Sequence, residues 1–261
     1  MQYKFCALTD VGRSRSNNED SVVVDEALRL AVLADGMGGY KAGEVASAMA
    51  TAHVTEELGR WLSEVGEGAR SREVRRAMEV CVDSANASIL NAANSNSHYS
   101  GMGTTLVIGV FRDDGLVIGH IGDSRCYCYR AGRLQPITKD HSLLQEQLDA
   151  GLISPEQAEK SNIRNLVTRA LGVEEVVLLE VNEHGVEVGD VYLMCSDGLT
   201  DMMNDAAIER LMSAQAALEH KAQALVDAAN ERGGRDNISV LMVEVAEAVE
   251  KRGLIARLLG K

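Results

Sequence analysis

Aromatic residues are scarce in this chain: Phe, Tyr and Trp make up 3% of its 261 residues, with a single Trp. That excludes a stacking platform for single-stranded nucleic acid, which needs exposed rings. It leaves Val, Ile, Leu, Met and Ala to fill the core. Basic residues are outnumbered too. The 26 Lys and Arg stand against 39 Asp and Glu, a net charge of −13. A surface of that sign repels DNA and RNA phosphates and gains nothing from counterion release, so no nucleic-acid partner is expected. It does attract divalent cations.

No apolar run approaches the roughly 20 residues that span a bilayer. Met1 to Asp10 lacks the basic start and apolar centre of a secretory signal. The expectation is a cytoplasmic protein with no stable membrane insertion. Its five cysteines, an odd number, then read as reduced thiols. Cys126 and Cys128 would share one strand face, yet no second Cys or His pair stands at ligand spacing, so packing is expected of them rather than zinc. Pro136 and Pro155 are the only prolines, and there is no linker-like tract or internal repeat. One continuous domain follows.

Hydrophobic periodicity predicts strands over 4–11, 21–25 and 28–34, then two helices over 42–65 and 72–93. A strand-rich middle follows over 104–111, 116–121, 125–130 and 133–137, punctuated by Asp-Asp-Gly, Gly-Asp and Ala-Gly turns. Residues 140–165 turn polar and helical, with Ser154 as N-cap before Pro155. Strands are predicted at 176–181 and 191–195, helices at 206–212 and 216–232, and a last strand at 238–245. This order does not alternate as βαβ units do. It predicts an α+β sandwich of antiparallel sheets covered by helices. The segment 247–261 is a short basic amphipathic tail, with Leu254, Ile255, Leu258 and Leu259 among Lys and Arg.

Several acids sit where acids are costly. Asp35, Asp123 and Asp197 follow apolar strands and Asp236 precedes one, and Gly36, Gly122 and Gly198 lie beside the first three. A charge next to a core strand must be paired or bound to a metal, and glycine lets backbone approach a ligand closely. Converging strand ends would make a nest of hard oxygens suited to Mg²⁺ or Mn²⁺. Any one of these acids alone reads more readily as a turn residue or N-cap, a reading that weakens for all four together. The loop Arg15-Ser16-Asn17-Asn18-Glu19-Asp20 adds a guanidinium, which suits bidentate phosphate binding, beside two more carboxylates.

With these residues in view the chain resembles the bacterial type-2C (PPM family) metal-dependent serine/threonine protein phosphatases. The matching motifs run in family order over about residues 4–245. They are Arg15 with Asn18-Glu19-Asp20; Ala34-Asp35-Gly36-Met37-Gly38-Gly39 with Ala42-Gly43-Glu44; Gly101-Met102-Gly103-Thr104-Thr105; Gly122-Asp123-Ser124-Arg125; Asp140-His141-Ser142; 165–172; Ser196-Asp197-Gly198-Leu199; and Asp236-Asn237-Ile238-Ser239.

The resemblance implies a four-layer αββα sandwich, with residues 1–246 as catalytic domain and 140–166 as a flap beside the site. It implies two Mn²⁺ or Mg²⁺ ions in a core site and a third, weaker one. Asp35 would bridge the two ions, the Gly36 carbonyl would join one, and Asp197 and Asp236 would complete the other. Glu19 would act through coordinated water, and Asp123 with Asp197 would hold the third ion. Arg15 would grip the substrate phosphate. Asp20 would hydrogen-bond a metal-bound water, which is expected to protonate the leaving oxygen, because Met37 stands where animal members carry a histidine. The implied reaction is hydrolysis of phosphoserine and phosphothreonine by a metal-bridged hydroxide. The implied partners are phosphoproteins and a cognate Ser/Thr kinase, and the implied state is a monomer.

Two other phosphate chemistries lack their parts: no cysteine is followed at the sixth position by arginine, and Gly38-Gly39-Tyr40-Lys41 lacks P-loop spacing. Competing readings are a catalytically inactive phosphoprotein-binding member of the same fold, which should have lost a ligand, and a two-metal nuclease, which the acidic charge opposes. Tyr40 is open between lining a cleft and packing, and His141 between the site and a structural role.

Overall fold

A computed structural model describes residues 1–38, 42–158 and 166–248. Tyr40, the 159–165 part of the flap segment and the tail from 249 onward lie outside these residues.

In chain order the elements are β1 (Gln2–Asp10), β2 (Asp20–Asp25), β3 (Leu30–Met37), α1 (Ala42–Val65), α2 (Ser71–Ser95), β4 (Gly103–Thr104), β5 (Leu106–Arg112), β6 (Gly115–Ile121), β7 (Arg125–Arg130), β8 (Arg133–Pro136), α3 (Leu143–Asp149), α4 (Pro155–Ala158), β9 (Glu180–His184), β10 (Val191–Cys195), α5 (Asp197–Thr200), α6 (Asp205–Met212), α7 (Leu218–Glu231) and β11 (Ile238–Ala246). They form two antiparallel sheets. One has the order β2-β3-β5-β6-β9 with β4 on β3, and the other β1-β11-β10-β7-β8.

Alternation along each central strand builds the layers. On β3, Leu30, Val32 and Ala34 face α1 and α2, while Ala31 and Leu33 face the other sheet. Burial on both faces is why this strand is apolar from Leu30 to Ala34. The opposite sheet is covered by α6 and α7 through Leu193, Val240 and Met242 against Ile208, Leu225 and Val226. Four of the nine aromatics pack between the sheets, where Phe111 meets Tyr192 at 5.5 Å and Tyr3 at 5.3 Å. Cys126 and Cys128 are buried there as free thiols.

Four sequence expectations shift. Asp35 does not end its strand, because β3 continues through Gly36 and Met37 to pair with β4. The strand expected over 104–111 breaks at Thr105, whose hydroxyl accepts from the Asp35 N–H at 3.1 Å. Among the described residues, the helical stretch expected over 140–165 is two short pieces; the first ends near Gly151, in the left-handed region at φ +67°. The strand expected over 176–181 begins only at Glu180. The buried Asn86 of α2 takes the backbone upstream, donating to the carbonyls of Glu174 (2.9 Å) and Glu175 (3.3 Å) and accepting from Gly172 N–H (2.7 Å).

Candidate metal centre

The β2–β3 hairpin sets Asp20 directly opposite Asp35. Like charges across a ladder are destabilising, so this register needs a reason. The surroundings hold it firmly. The Asp35 carbonyl accepts from Thr105 N–H (2.9 Å) and the Thr104 hydroxyl (2.8 Å), and Gly36 N–H donates to the Glu19 carbonyl at 3.1 Å. The start of α1 presses on the same point: a Cβ on Gly36 would lie 2.1 Å from the Gly43 carbonyl oxygen, and one on Gly43 would lie 2.7 Å from Glu19 Oε2. Only glycine fits either place.

The other sheet contributes from the facing side. Asp197 opens α5 straight after β10, and Asp236 lies two residues before β11. A Cβ on Gly198 would lie 2.0 Å from the Asn237 carbonyl oxygen, so the two segments touch through backbone. Asn237 ties the polar loop to them: its Oδ1 accepts from Glu19 N–H at 2.7 Å, and its Nδ2 donates to the carbonyls of Asn17 (2.9 Å) and Val11 (3.0 Å). Across the seam the Ser196 hydroxyl donates to Asp20 Oδ2 at 2.8 Å. Arg15 reaches over to Asp236, with Nη2 to Oδ2 at 2.6 Å.

The result is a cleft of ≈ 230 Å³ lined by Arg15, Glu19, Asp35, Gly36, Asp123, Asp197 and Asp236, with Met37, Gly38, Thr105 and Val167. All the acids singled out in the sequence converge here, Asp20 standing just behind its partner Asp35. The crowding shows in their protonation. Burial, then Asp20, Asp197 and Asp123, push the Asp35 carboxyl well above the usual range. Burial, then Asp123, Asp201 and Asp236, do the same to Asp197. Burial raises Asp20 to about 6, against hydrogen bonds from Ser239 and Ser196. Burial and then Asp140 raise Asp123 to about 6, and Glu19 is raised mainly by burial.

Such a nest fits hard cations. Its donors are carboxylates and a carbonyl with no thiol or imidazole among them, the set that Mg²⁺ and Mn²⁺ favour. Asp20 Oδ1 is buried with no hydrogen-bond partner, a group that proteins rarely leave unsatisfied. Among the described residues, Arg15 on Asp236 is the one cationic side chain lining the cleft.

His141 lies outside the cleft, which resolves its role. Its Nδ1 accepts from Gly122 N–H (3.2 Å), its Nε2 faces Glu180 Oε2 (3.2 Å), and its ring stacks on His120 at 4.6 Å and 14°. With Nδ1 committed as an acceptor, Nε2 carries the proton, and nearly parallel rings cannot both aim lone pairs at one ion. The group supports the turn before Asp123. Asp140 likewise is not part of the cleft lining, held by Arg125 through Nε–Oδ1 (2.7 Å) and Nη2–Oδ2 (2.6 Å). A larger cavity of ≈ 1190 Å³ between α1 and α2 gathers no comparable chemistry. Sequence reasoning assigned no role to Asn237, Thr104, Thr105 or Ser196, which hold the acids. Their sole sequence signal was membership in the same short motifs.

Comparison with known proteins gives one answer. The family model described as Protein phosphatase 2C matches residues 12–232. The serine/threonine phosphatase stp of Listeria innocua is 37% identical over 239 residues, covering 90% of this chain and 93% of that one. The crystal structure of the Mycobacterium tuberculosis serine/threonine phosphatase PstP/Ppp superposes with a TM-score of 0.86 at 35% identity, covering 95% of this chain and 100% of that one. The catalytic domain of PstP in complex with two manganese ions gives 0.83 at 36% identity, covering 94% and 99%.

Proposed function

The chain belongs to the protein phosphatase 2C family, and from that membership together with the acidic cleft we infer that it is a metal-dependent phosphatase hydrolysing phosphoserine and phosphothreonine on proteins. The observation that carries the reading is the convergence of carboxylates from both sheets on one cleft with Arg15 at its mouth.

Asp35 and the Gly36 carbonyl would hold the Mn²⁺ or Mg²⁺ pair with Asp197 and Asp236, Glu19 assisting through water, and Asp123 with Asp197 would hold a third ion. Divalent cations held there would supply Lewis acidity to polarise a phosphoryl oxygen and lower the pKa of a water toward neutrality. The chain's own groups do the rest. Arg15, half exposed and able to swing from Asp236, grips the phosphoryl oxygens and offsets their charge. Asp20, behind the cleft opposite Asp35 with Oδ1 free of any hydrogen-bond partner, would hold the water that protonates the leaving oxygen. Met37 and Val167 form apolar walls that limit water around the reacting group.

The catalytic unit is residues 1–246, with 140–166 a flap at its edge and 247–261 an appended tail. Val167 on the cleft wall and the hydrogen bond from Leu143 N–H to the Leu166 carbonyl (2.9 Å) support that flap reading. The protein acts as a cytoplasmic monomer opposing a Ser/Thr kinase of the same cell. In support of the monomer, the cleft's acids all come from one chain.

The test is turnover of para-nitrophenyl phosphate and of a phosphothreonine peptide with Mn²⁺, with and without chelator. Both substrates should be hydrolysed, chelator should stop both, and Asp35→Asn or Asp197→Asn should abolish turnover in a folded protein. Near-normal rates in those variants at saturating Mn²⁺ would overturn the ligand assignment.

A further inference from the structure

Beside the acidic cleft lies a second depression of ≈ 490 Å³ that shares Met37 and Val167 with it. Its character is different. Val173, Val176 and Leu178 line it beside Thr168, Arg169 and Glu174, and these three apolar side chains are 55%, 73% and 71% exposed. With Leu166, they make four of the nine exposed large apolar side chains among the described residues, all within residues 166–178. Single exposed apolar residues need no explanation, but a cluster does.

This cluster is also pinned. Asn86, 2% exposed, holds the backbone at Gly172, Glu174 and Glu175, and Val177 is buried in the core under α2. Side chains on either side of Val177 therefore point outward from a fixed shelf.

Building on the phosphatase reading, we propose that this shelf is the subsite for polypeptide flanking the phosphorylated residue and that it selects an aliphatic side chain there. The acidic cleft accepts a phosphoryl group and little else, so the attached chain must leave across a rim. The Met37–Val167 wall is the rim that leads onto an apolar surface. The shelf has room: a cavity of ~150 Å³ holds one benzene ring, and ≈ 490 Å³ takes a leucine-sized side chain with adjoining backbone. An extended peptide advances ~3.3 Å per residue, so the selected position lies within about three residues of the phosphorylated one.

The experiment uses the full chain with saturating Mn²⁺ and a phosphothreonine peptide series in a Gly/Ser background, with Leu at one position from three before to three after. Para-nitrophenyl phosphate serves as a substrate without flanks. At one position or more, Leu should raise kcat/KM roughly ten-fold over the all-polar peptide, mainly through KM. The double variant Val176→Ser with Leu178→Ser should erase that preference while leaving para-nitrophenyl phosphate turnover within about two-fold. Both side chains are exposed, and an unchanged Tm checks the fold. No Leu preference at any position, or a preference retained in the double variant, would overturn the proposal. Failure of wild-type protein to hydrolyse para-nitrophenyl phosphate would instead sink the phosphatase reading beneath it.

Discussion

Replacing Asp20 by Asn in protein stripped of divalent ions should stabilise it, although a hydrogen-bonded residue at the centre of the molecule is being changed. Asp20 faces Asp35 across the β2–β3 ladder, and its carboxyl is raised from 3.8 to about 6. A rise of that size corresponds to about 3 kcal/mol of disfavoured charge once the group is ionised. The Asn carbonyl still accepts from Ser196, while its new amide N–H₂ must find an acceptor, so a net gain of about 1–3 kcal/mol is expected. For a domain of this size that is a Tm increase of roughly 2–6 °C. The pH dependence has a definite sign. A carboxyl whose folded pKa lies above its unfolded one favours the fold in its protonated form. That contribution is full below 3.8 and is lost as pH rises through about 6. The variant should therefore match wild type near pH 4 and exceed it at pH 7.5. With Mn²⁺ at about 100 times its Kd, wild type should gain ~2.7 kcal/mol by binding and the variant less. Thermal unfolding by circular dichroism at both pH values, with chelator and with Mn²⁺, reads all of this. A variant Tm equal to or below wild type in chelator at pH 7.5 would refute the carboxylate-crowding argument.

Two further outcomes follow from the same geometry. The Asp20→Asn variant should lose more kcat on a phosphopeptide than on para-nitrophenyl phosphate, because a good leaving group needs little protonation; equal losses would speak against a proton-holding role. Arg15→Ala should raise KM by roughly 10-fold through loss of a charge-assisted contact. Calorimetry should find its Mn²⁺ affinity equal or tighter, since Arg15 holds Asp236 Oδ2 at 2.6 Å in the parent protein; weaker binding would contradict that competition.

Much of this was legible in the sequence. Helix α1 runs over the residues its periodicity marks, and β7 and β10 do likewise. The acids converge because each sits beside a strand that must be buried, and burial fixes where strand ends go. What was not legible is instructive. The Asp20–Asp35 opposition follows from a tight turn in which Arg29 adopts φ +53°, a conformation that no Gly or Asn signals there. The strand over 176–181 looked right by composition, but its upstream backbone is claimed by a side chain 88 residues away. Long-range hydrogen bonds of that kind leave no local periodicity. The exposed shelf was hidden for the same reason, Val176 and Leu178 having been read as part of a strand over 176–181.

The seam between the sheets has a mechanical consequence. Two β layers are pressed together here by Phe111, Tyr192 and their neighbours, and apolar contact, being non-directional, fixes their sideways position less sharply than a coordinated ion does. The acids of the cleft belong to both layers, and an ion gripped by both would act as a rivet through the laminate, resisting shear. Conversely, a packing change deep in the sandwich that lets one layer slip by an ångström would first be felt at the rivet, where that displacement can cost about a hundred-fold in rate.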